Sequence, residues 1–256
     1  MKYQSMINGY IFIKEQGGEN KMSNIYAIAD IHGECQLFLK VLDEINFSKD
    51  DKLIILGDIL DRGKEPLKIV KYIMERNNIE MIMGNHEKMF LDFVLAENEM
   101  DKYFAYHMWM NNGGHTTLAE YDTLNTYEQE KIINYLKNLP LYKVIDNYIL
   151  VHSGLNMSGL SSDLDIGEIM KAQNSEDLLW SREEFYKFKA VEDYIVVFGH
   201  TPTPFLRNQK ENYDFSIWHD EKYKDKIGID SGATFGEIGG ILSCLRLNDR
   251  MEFYVR

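Results

Sequence analysis

Three short apolar runs in the first third of the chain each end at a polar cluster. They are Ile25-Tyr26-Ala27-Ile28-Ala29, Leu53-Ile54-Ile55-Leu56 and Met81-Ile82-Met83. Runs of this length and character read as buried strands. Between and after them, apolar positions fall at helical spacing. Leu37, Leu39, Val41, Leu42 and Ile45 mark one helix. Leu67, Val70, Ile73 and Met74 mark a second, with Pro66 in its first turn, and Met89, Phe90, Phe93 and Val94 mark a third. Strand and helix therefore alternate, which predicts an α/β layered domain.

The pattern changes over residues 97–140, which are polar and aromatic, with Trp109, Asn112, Gly113 and Gly114 in the middle. Residues 124–140 read as a helix ending near Pro140. The segment is expected to be a helical insertion beside the functional site. Strands are then predicted at 142–145 and 148–151, a loop at 154–176, and a helix ending near Lys189. Strands at 194–198, 227–229, 238–247 and 251–255 complete a strand-rich second half. Neither an internal repeat nor a low-complexity linker interrupts the sequence, so residues 22–256 are expected to form one catalytic domain.

Residues 1–21 are expected to be a disordered extension or a mis-assigned start. Met22-Ser23-Asn24 stands directly before the first strand, and the stretch before it is polar. Gly17-Gly18-Glu19-Asn20-Lys21-Met22 is what translation through a purine-rich ribosome-binding site would produce. The alternative is an extra strand at 10–13 on a sheet edge. That apolar patch is too short for the core of a secretory signal.

Composition narrows the class. With 256 residues, 45% hydrophobic and 27% charged, the chain can bury one large core. No apolar run approaches the roughly 20 residues of a membrane helix. A formal net charge of -13 disfavours non-specific binding to nucleic acid or to anionic membranes. Cys35 and Cys244 are the only cysteines, which is no disulfide framework and fits a reducing cytoplasm.

The chemistry lies in five segments that each follow an apolar run. They are Asp30-Ile31-His32-Gly33, Gly57-Asp58-Ile59-Leu60-Asp61-Arg62-Gly63, Gly84-Asn85-His86-Glu87, His152-Ser153-Gly154 and Gly199-His200-Thr201. Residues at strand ends gather along one edge of a sheet, where α/β folds build their sites. Two Asp, one Asn and three His there are candidate metal ligands: Asp30, His32, Asp58, Asn85, His152 and His200. Imidazole together with carboxylate suits Mn, Fe or Zn. A carboxylate such as Asp58 can bridge two ions, and Asn85 adds an oxygen ligand without charge. Two divalent ions roughly 3.5–4 Å apart clamp the oxygens of an in-line displacement at phosphorus and activate hydroxide for the attack. Arg62 can fork onto two phosphate oxygens. Asp61 can hydrogen-bond His86 and make it a general acid for the leaving oxygen. Glu87 is expected to support the loop, and His107, His115 and His219 to be structural.

With these motifs in hand, the chain resembles the calcineurin-like metallophosphoesterase superfamily, and within it the bacterial and phage branch of the PPP-type serine/threonine protein phosphatases. Leu179-Trp180-Ser181-Arg182, Phe198-Gly199-His200-Thr201-Pro202, 109–114 and Ile229-Asp230-Ser231-Gly232-Ala233 add to the likeness, which runs over about residues 22–250 in consistent order. The resemblance implies a four-layer α/β/β/α sandwich of two mixed sheets flanked by helices. It implies one ion on Asp30, His32 and Asp58, and a second on Asp58, Asn85, His152 and His200. It implies that His86 with Asp61 protonates the leaving alkoxide, that Arg62, Arg182 and Asn85 bind phosphate, and that the ions are manganese, with iron or zinc as alternatives.

The eukaryotic enzymes carry His-Gly-Gly where this chain has His152-Ser153-Gly154, and their docking grooves have no evident counterpart. The implied substrate is a phosphorylated protein or a small phosphoester. Hydrolysis of diadenosine tetraphosphate or a related nucleotide is the alternative. The symmetrical diadenosine tetraphosphate hydrolases typically have Gln at the place of His32, which favours the phosphatase reading. A non-enzymatic scaffold would be expected to have lost ligands or the acid, and all are present.

Overall fold

The computed structural model describes residues 23–256 and the backbone of two strands, β1 (Gln4–Ile7) and β2 (Tyr10–Ile13). Those two strands pair antiparallel with each other, so the strand expected at 10–13 has β1 as its partner and lies in neither main sheet. The rest of the segment expected to precede the domain lies outside the described residues.

Two five-stranded mixed sheets carry the molecule. The first contains β3 (Ile25–Ile28), β4 (Lys52–Ile55), β5 (Ile79–Met81), β11 (Leu242–Arg246) and β12 (Glu252–Val255), in the order β12-β11-β3-β4-β5. Its strands β3, β4 and β5 are parallel. The second contains β6 (Tyr142–Ile145), β7 (Tyr148–Val151), β8 (Ile195–Phe198), β9 (Trp218–His219) and β10 (Lys226–Gly228), in the order β6-β7-β8-β10-β9, with β7, β8 and β10 parallel. Helices α1 (Cys35–Glu44), α2 (Pro66–Met74) and α3 (Asn85–Val94) follow β3, β4 and β5 in turn.

Side chains on a strand alternate between its two faces, and this alternation builds the layers. On β4, Leu53 and Ile55 join the helix-side core, while Ile54 and Leu56 join the core between the sheets. On β7, Tyr148 and Leu150 face that central core, and Ile149 and Val151 pack outward. The outward cluster of the second sheet takes in Ile169 and Met170 of α7 (Ile166–Ala172), Leu178 of α8 (Ser175–Trp180) and Phe185 of α9 (Glu183–Lys187). The result is the four-layer α/β/β/α sandwich expected of the sequence.

Four predicted boundaries move. The third strand, expected at 81–83, is β5 at Ile79–Met81. Residues 154–176 contain α7, because the Asp165 carboxylate accepts the Gly167 N–H and caps its start. The strand expected from 238 begins only at Leu242: Gly236–Ile238 forms a 3-10 turn, and Gly239 at φ 98° leaves extended geometry. The helix expected over 124–140 is α6 (Thr126–Lys137), started by Asn125 in a capping box with Glu128. The insertion also contains α4 (Glu99–Asn111) and α5 (His115–Tyr121), and a short α10 (Thr203–Leu206) follows β8. None of the described helices is long and apolar enough to cross a membrane.

Candidate metal centre

Parallel strands deliver their C-terminal ends to one edge. Asp30 and His32 lie just beyond β3, Asp58 beyond β4, and Asn85 and His86 open α3 after β5. From the second sheet, His152 follows β7 and His200 follows β8. The two edges are tied together directly. His152 Nδ1 donates to Leu56 O at 2.7 Å, and the His200 N–H donates to the Asp30 carboxylate at 2.9–3.0 Å. That second contact requires Gly199, since a Cβ there would lie 2.1 Å from Asp30 Oδ2.

The backbone is strained where the chemistry is. Asp30, His32, Asp58, Asp61, Arg62 and His200 all adopt left-handed φ between 45° and 69°. A non-glycine residue in that region costs roughly 1–2 kcal/mol, so the surrounding contacts must hold each one there.

Asp58 occupies the centre. Its Oδ2 lies 3.7 Å from His32 Nε2 and 3.8 Å from His86 Nε2, while Oδ1 lies 3.4 Å from His152 Nε2. Among the described residues, the potential ligand atoms of His32, Asp58 and His86 lie within 4.8 Å of one another, and so do those of Asp58, His152 and His200. One carboxylate thus faces two clusters with different oxygens, the arrangement a bridging ligand needs. Asn85 Oδ1 sits in the second cluster, 2.7 Å from His152 Nε2 and 2.9 Å from His200 Nδ1. His32 Nδ1 donates to Leu60 O at 2.9 Å. That bond and the matching one at His152 place the ring proton on Nδ1 and turn the Nε2 lone pair toward the clusters, the support given to metal-ligating imidazoles. Asp30 stands in neither cluster, its carboxylate being turned to the His200 N–H.

The electrostatics fit divalent ions. Burial pushes His32, His152 and His200 below the ordinary histidine range, toward the neutral form a ligand requires. Burial opposes ionisation of Asp58, but the histidines around it outweigh that and hold its carboxyl below the usual range. Burial, then Asp230 and Asp58, push Asp30 well above that range. Burial likewise pushes Asp230 up to about 6. Three buried carboxylates near one another are costly without positive charge, and two dications would supply it. We expect Asp58→Asn to lower metal content per chain in elemental analysis of the purified protein. Unchanged stoichiometry would overturn the bridging assignment.

His86, the residue expected to be the acid, and the two arginines stand around this centre. His86 Nδ1 donates to Asp61 Oδ2 at 2.7 Å, and Asp61 and His86 are both buried. Burial alone would lower His86, but Asp58 and the Asp61 hydrogen bond raise it above its ordinary value. Arg62 reaches the mouth of the first cluster, with Nη1 2.8 Å from His32 Nε2 and Nη2 3.0 Å from His86 Nε2. Arg182 lies between α8 and α9 and donates through Nη1 to Thr201 Oγ1 at 2.8 Å, next to His200. Glu87 supports the loop: its carboxylate accepts the N–H groups of Asp58, Ile59, Leu60 and Gly84.

Sequence reasoning gave no role to Asp230, Trp109 or Thr117, although the first two stand in segments that carry the resemblance. Asp230 follows β10 and could have been found by the strand-end rule that found the others. Trp109 and Thr117 bind Asp61 from the insertion, and no local signal marks them.

The calcineurin-like phosphoesterase family profile matches residues 23–233. The chain therefore belongs to that family of phosphoesterases. It is 26% identical over 248 residues to an asymmetrical bis(5'-nucleosyl)-tetraphosphatase PrpE of Geobacillus thermodenitrificans, covering 87% of this chain and 90% of the relative. It is 28% identical over 137 residues to a symmetrical bis(5'-nucleosyl)-tetraphosphatase of Nitrosospira multiformis, covering 51% of this chain and 43% of that protein. In that second match the chain spans less than half of the relative. Among solved structures, a putative diadenosine tetraphosphatase superposes with TM-score 0.61 at 20% identity, covering 92% of this chain and 94% of the other. A protein serine/threonine phosphatase from Saccharomyces cerevisiae superposes with TM-score 0.60 at 14% identity, covering 89% and 73%. At those identities the two structures speak for the fold alone.

Proposed function

We propose that this protein is a metal-dependent phosphomonoesterase, a cytoplasmic serine/threonine protein phosphatase that works with manganese. The observation that carries the reading is the His86–Asp61 pair. A serine or threonine alkoxide is a poor leaving group and needs a proton as the P–O bond breaks. A nucleotide phosphate leaves as a stable anion and needs much less help. A buried imidazole backed by a buried carboxylate and raised above its ordinary value is suited to the first task.

Asp30, His32, Asp58, Asn85, His152 and His200 would hold two divalent ions, which would supply charge against the phosphate oxygens and a lowered pKa for the attacking water. The chain's own residues do the rest. Arg62 and Arg182 grip the phosphoryl oxygens, and Asn85 helps to hold the group from the second cluster. His86 gives the proton on Nε2 to the departing oxygen, while Asp61 holds Nδ1–H and steadies the cationic ring. The alcohol side chain and inorganic phosphate are the products.

A second reading is favoured by one finding. The Geobacillus relative, matched over nearly its whole length, is named as an asymmetrical dinucleoside tetraphosphatase. A side-by-side assay with manganese decides between them, using a phosphothreonine peptide and diadenosine tetraphosphate. Higher kcat/KM on the peptide is the expected result. Preference for the dinucleotide would keep the metal centre and reassign the substrate.

A further inference from the structure

The corner between α4 and α5 is closed onto the catalytic turn. Trp109 Nε1 lies 2.9 Å from both oxygens of the Asp61 carboxylate. Thr117 Oγ1 donates to Asp61 Oδ1 at 2.6 Å and accepts the Asp61 N–H at 2.8 Å. The next residue is held too, since the Arg62 N–H donates to Gly113 O at 3.1 Å. Trp109 and Thr117 are fully buried. The glycine pair lets the corner approach this closely. A Cβ on Gly114 would sit 2.6 Å from the Trp109 ring, and one on Gly113 would sit 2.8 Å from Arg62 Cγ.

Asp61 and Arg62 are consecutive left-handed residues, at φ 69° and 66°. Neither would stay there unaided. The donors on Asp61 divide its oxygens: Thr117 takes Oδ1, His86 takes Oδ2, and Trp109 spans both. Trp109 and Thr117 thereby fix the carboxylate in the plane that meets His86 Nδ1.

We propose that Trp109 and Thr117 are positioning residues for the general acid, so that the helical insertion governs how well this enzyme expels poor leaving groups. The inference rests on the reading of His86 as the acid. Loss of the Thr117 hydroxyl removes the 2.6 Å donor on Oδ1, leaving only the shared Trp109 contact there, and leaves the buried Asp61 N–H without its acceptor. The carboxylate then turns, and His86 is no longer held toward the leaving oxygen. Small misplacements of this kind cost rate without removing any group that touches substrate.

The test uses the full chain loaded with manganese. Thr117→Val, Thr117→Ser and Trp109→Phe are compared with His86→Asn on a phosphothreonine peptide and on p-nitrophenyl phosphate, whose leaving group needs little protonation. Metal content and melting temperature are measured for each. Thr117→Val is expected to lose ~10–100-fold in kcat on the peptide and under ~3-fold on p-nitrophenyl phosphate, with metal content unchanged. Thr117→Ser, which keeps the hydroxyl, should recover most of the loss. Should Thr117→Val fail to fold, Trp109→Phe carries the same comparison. Equal losses on both substrates in Thr117→Val, with selective loss in His86→Asn, would overturn the positioning role alone. An unselective His86→Asn would overturn the acid reading and this inference together.

Discussion

His86→Asn is expected to slow hydrolysis of a phosphothreonine peptide by about 10²–10⁴-fold, the usual worth of a positioned general acid. Asparagine fills similar space and keeps a donor, but it has no proton to give at the leaving oxygen. The loss should be much smaller on p-nitrophenyl phosphate, because p-nitrophenolate departs readily on its own. Metal content is the control: His86 stands in the first cluster, 3.8 Å from Asp58 Oδ2, so unchanged content is expected of an acid and the loss of one ion would make it a ligand instead. Kinetics on both substrates with metal analysis of the same preparation check this. Equal losses on the two would remove His86 from the acid role.

The second large effect is on stability. Glu87 is fully buried and its carboxylate accepts four backbone N–H groups, three from the Asp58 turn and one from Gly84. Burial and then Asp58 push Glu87 up to about 7, so above that pH the four amides meet a charged carboxylate, which binds them more strongly than a neutral acceptor would. Glu87→Ala leaves those donors buried without an acceptor. At 1–3 kcal/mol for each unsatisfied group, and with water able to enter part of the space, the loss should be on the order of 4 kcal/mol. Denaturant unfolding of the two proteins measures it. Metal affinity should fall with it, because the same four bonds hold the turn that presents Asp58. A loss under about 1 kcal/mol would mean that the loop is held by something else.

The legible part of the site was the part written at strand ends. Asp30, His32, Asp58, Asn85, His152 and His200 each stand in a short polar segment directly after an apolar run. Parallel strands must bring such segments together, so type and position sufficed. The fold was legible for the same reason: β6 and β7 have the predicted bounds because their flanks are polar or turn-forming. What escaped was long-range. Trp109 and Thr117 lie 48 and 56 residues from Asp61, on helices whose periodicity reads only as packing. A buried tryptophan that donates to a carboxylate looks in sequence like any core tryptophan. The strand expected from 238 was misplaced because its apolar residues continue across Gly239 and Gly240, where the backbone turns before the ladder begins at Leu242. The helix expected to end near Lys189 is broken into α8 and α9, and Arg182 sits between them, where it can reach Thr201.

Asp58 faces one cluster with each of its oxygens, which predicts two ions held on either side of it. Crystals grown with manganese would test it directly through the anomalous signal of the metal. The expected result is two peaks roughly 3.5–4 Å apart, each within ligand distance of a different Asp58 oxygen, one beside His32 and the other beside Asn85, His152 and His200. A single ion, or two ions with Asp58 touching only one, would contradict the account.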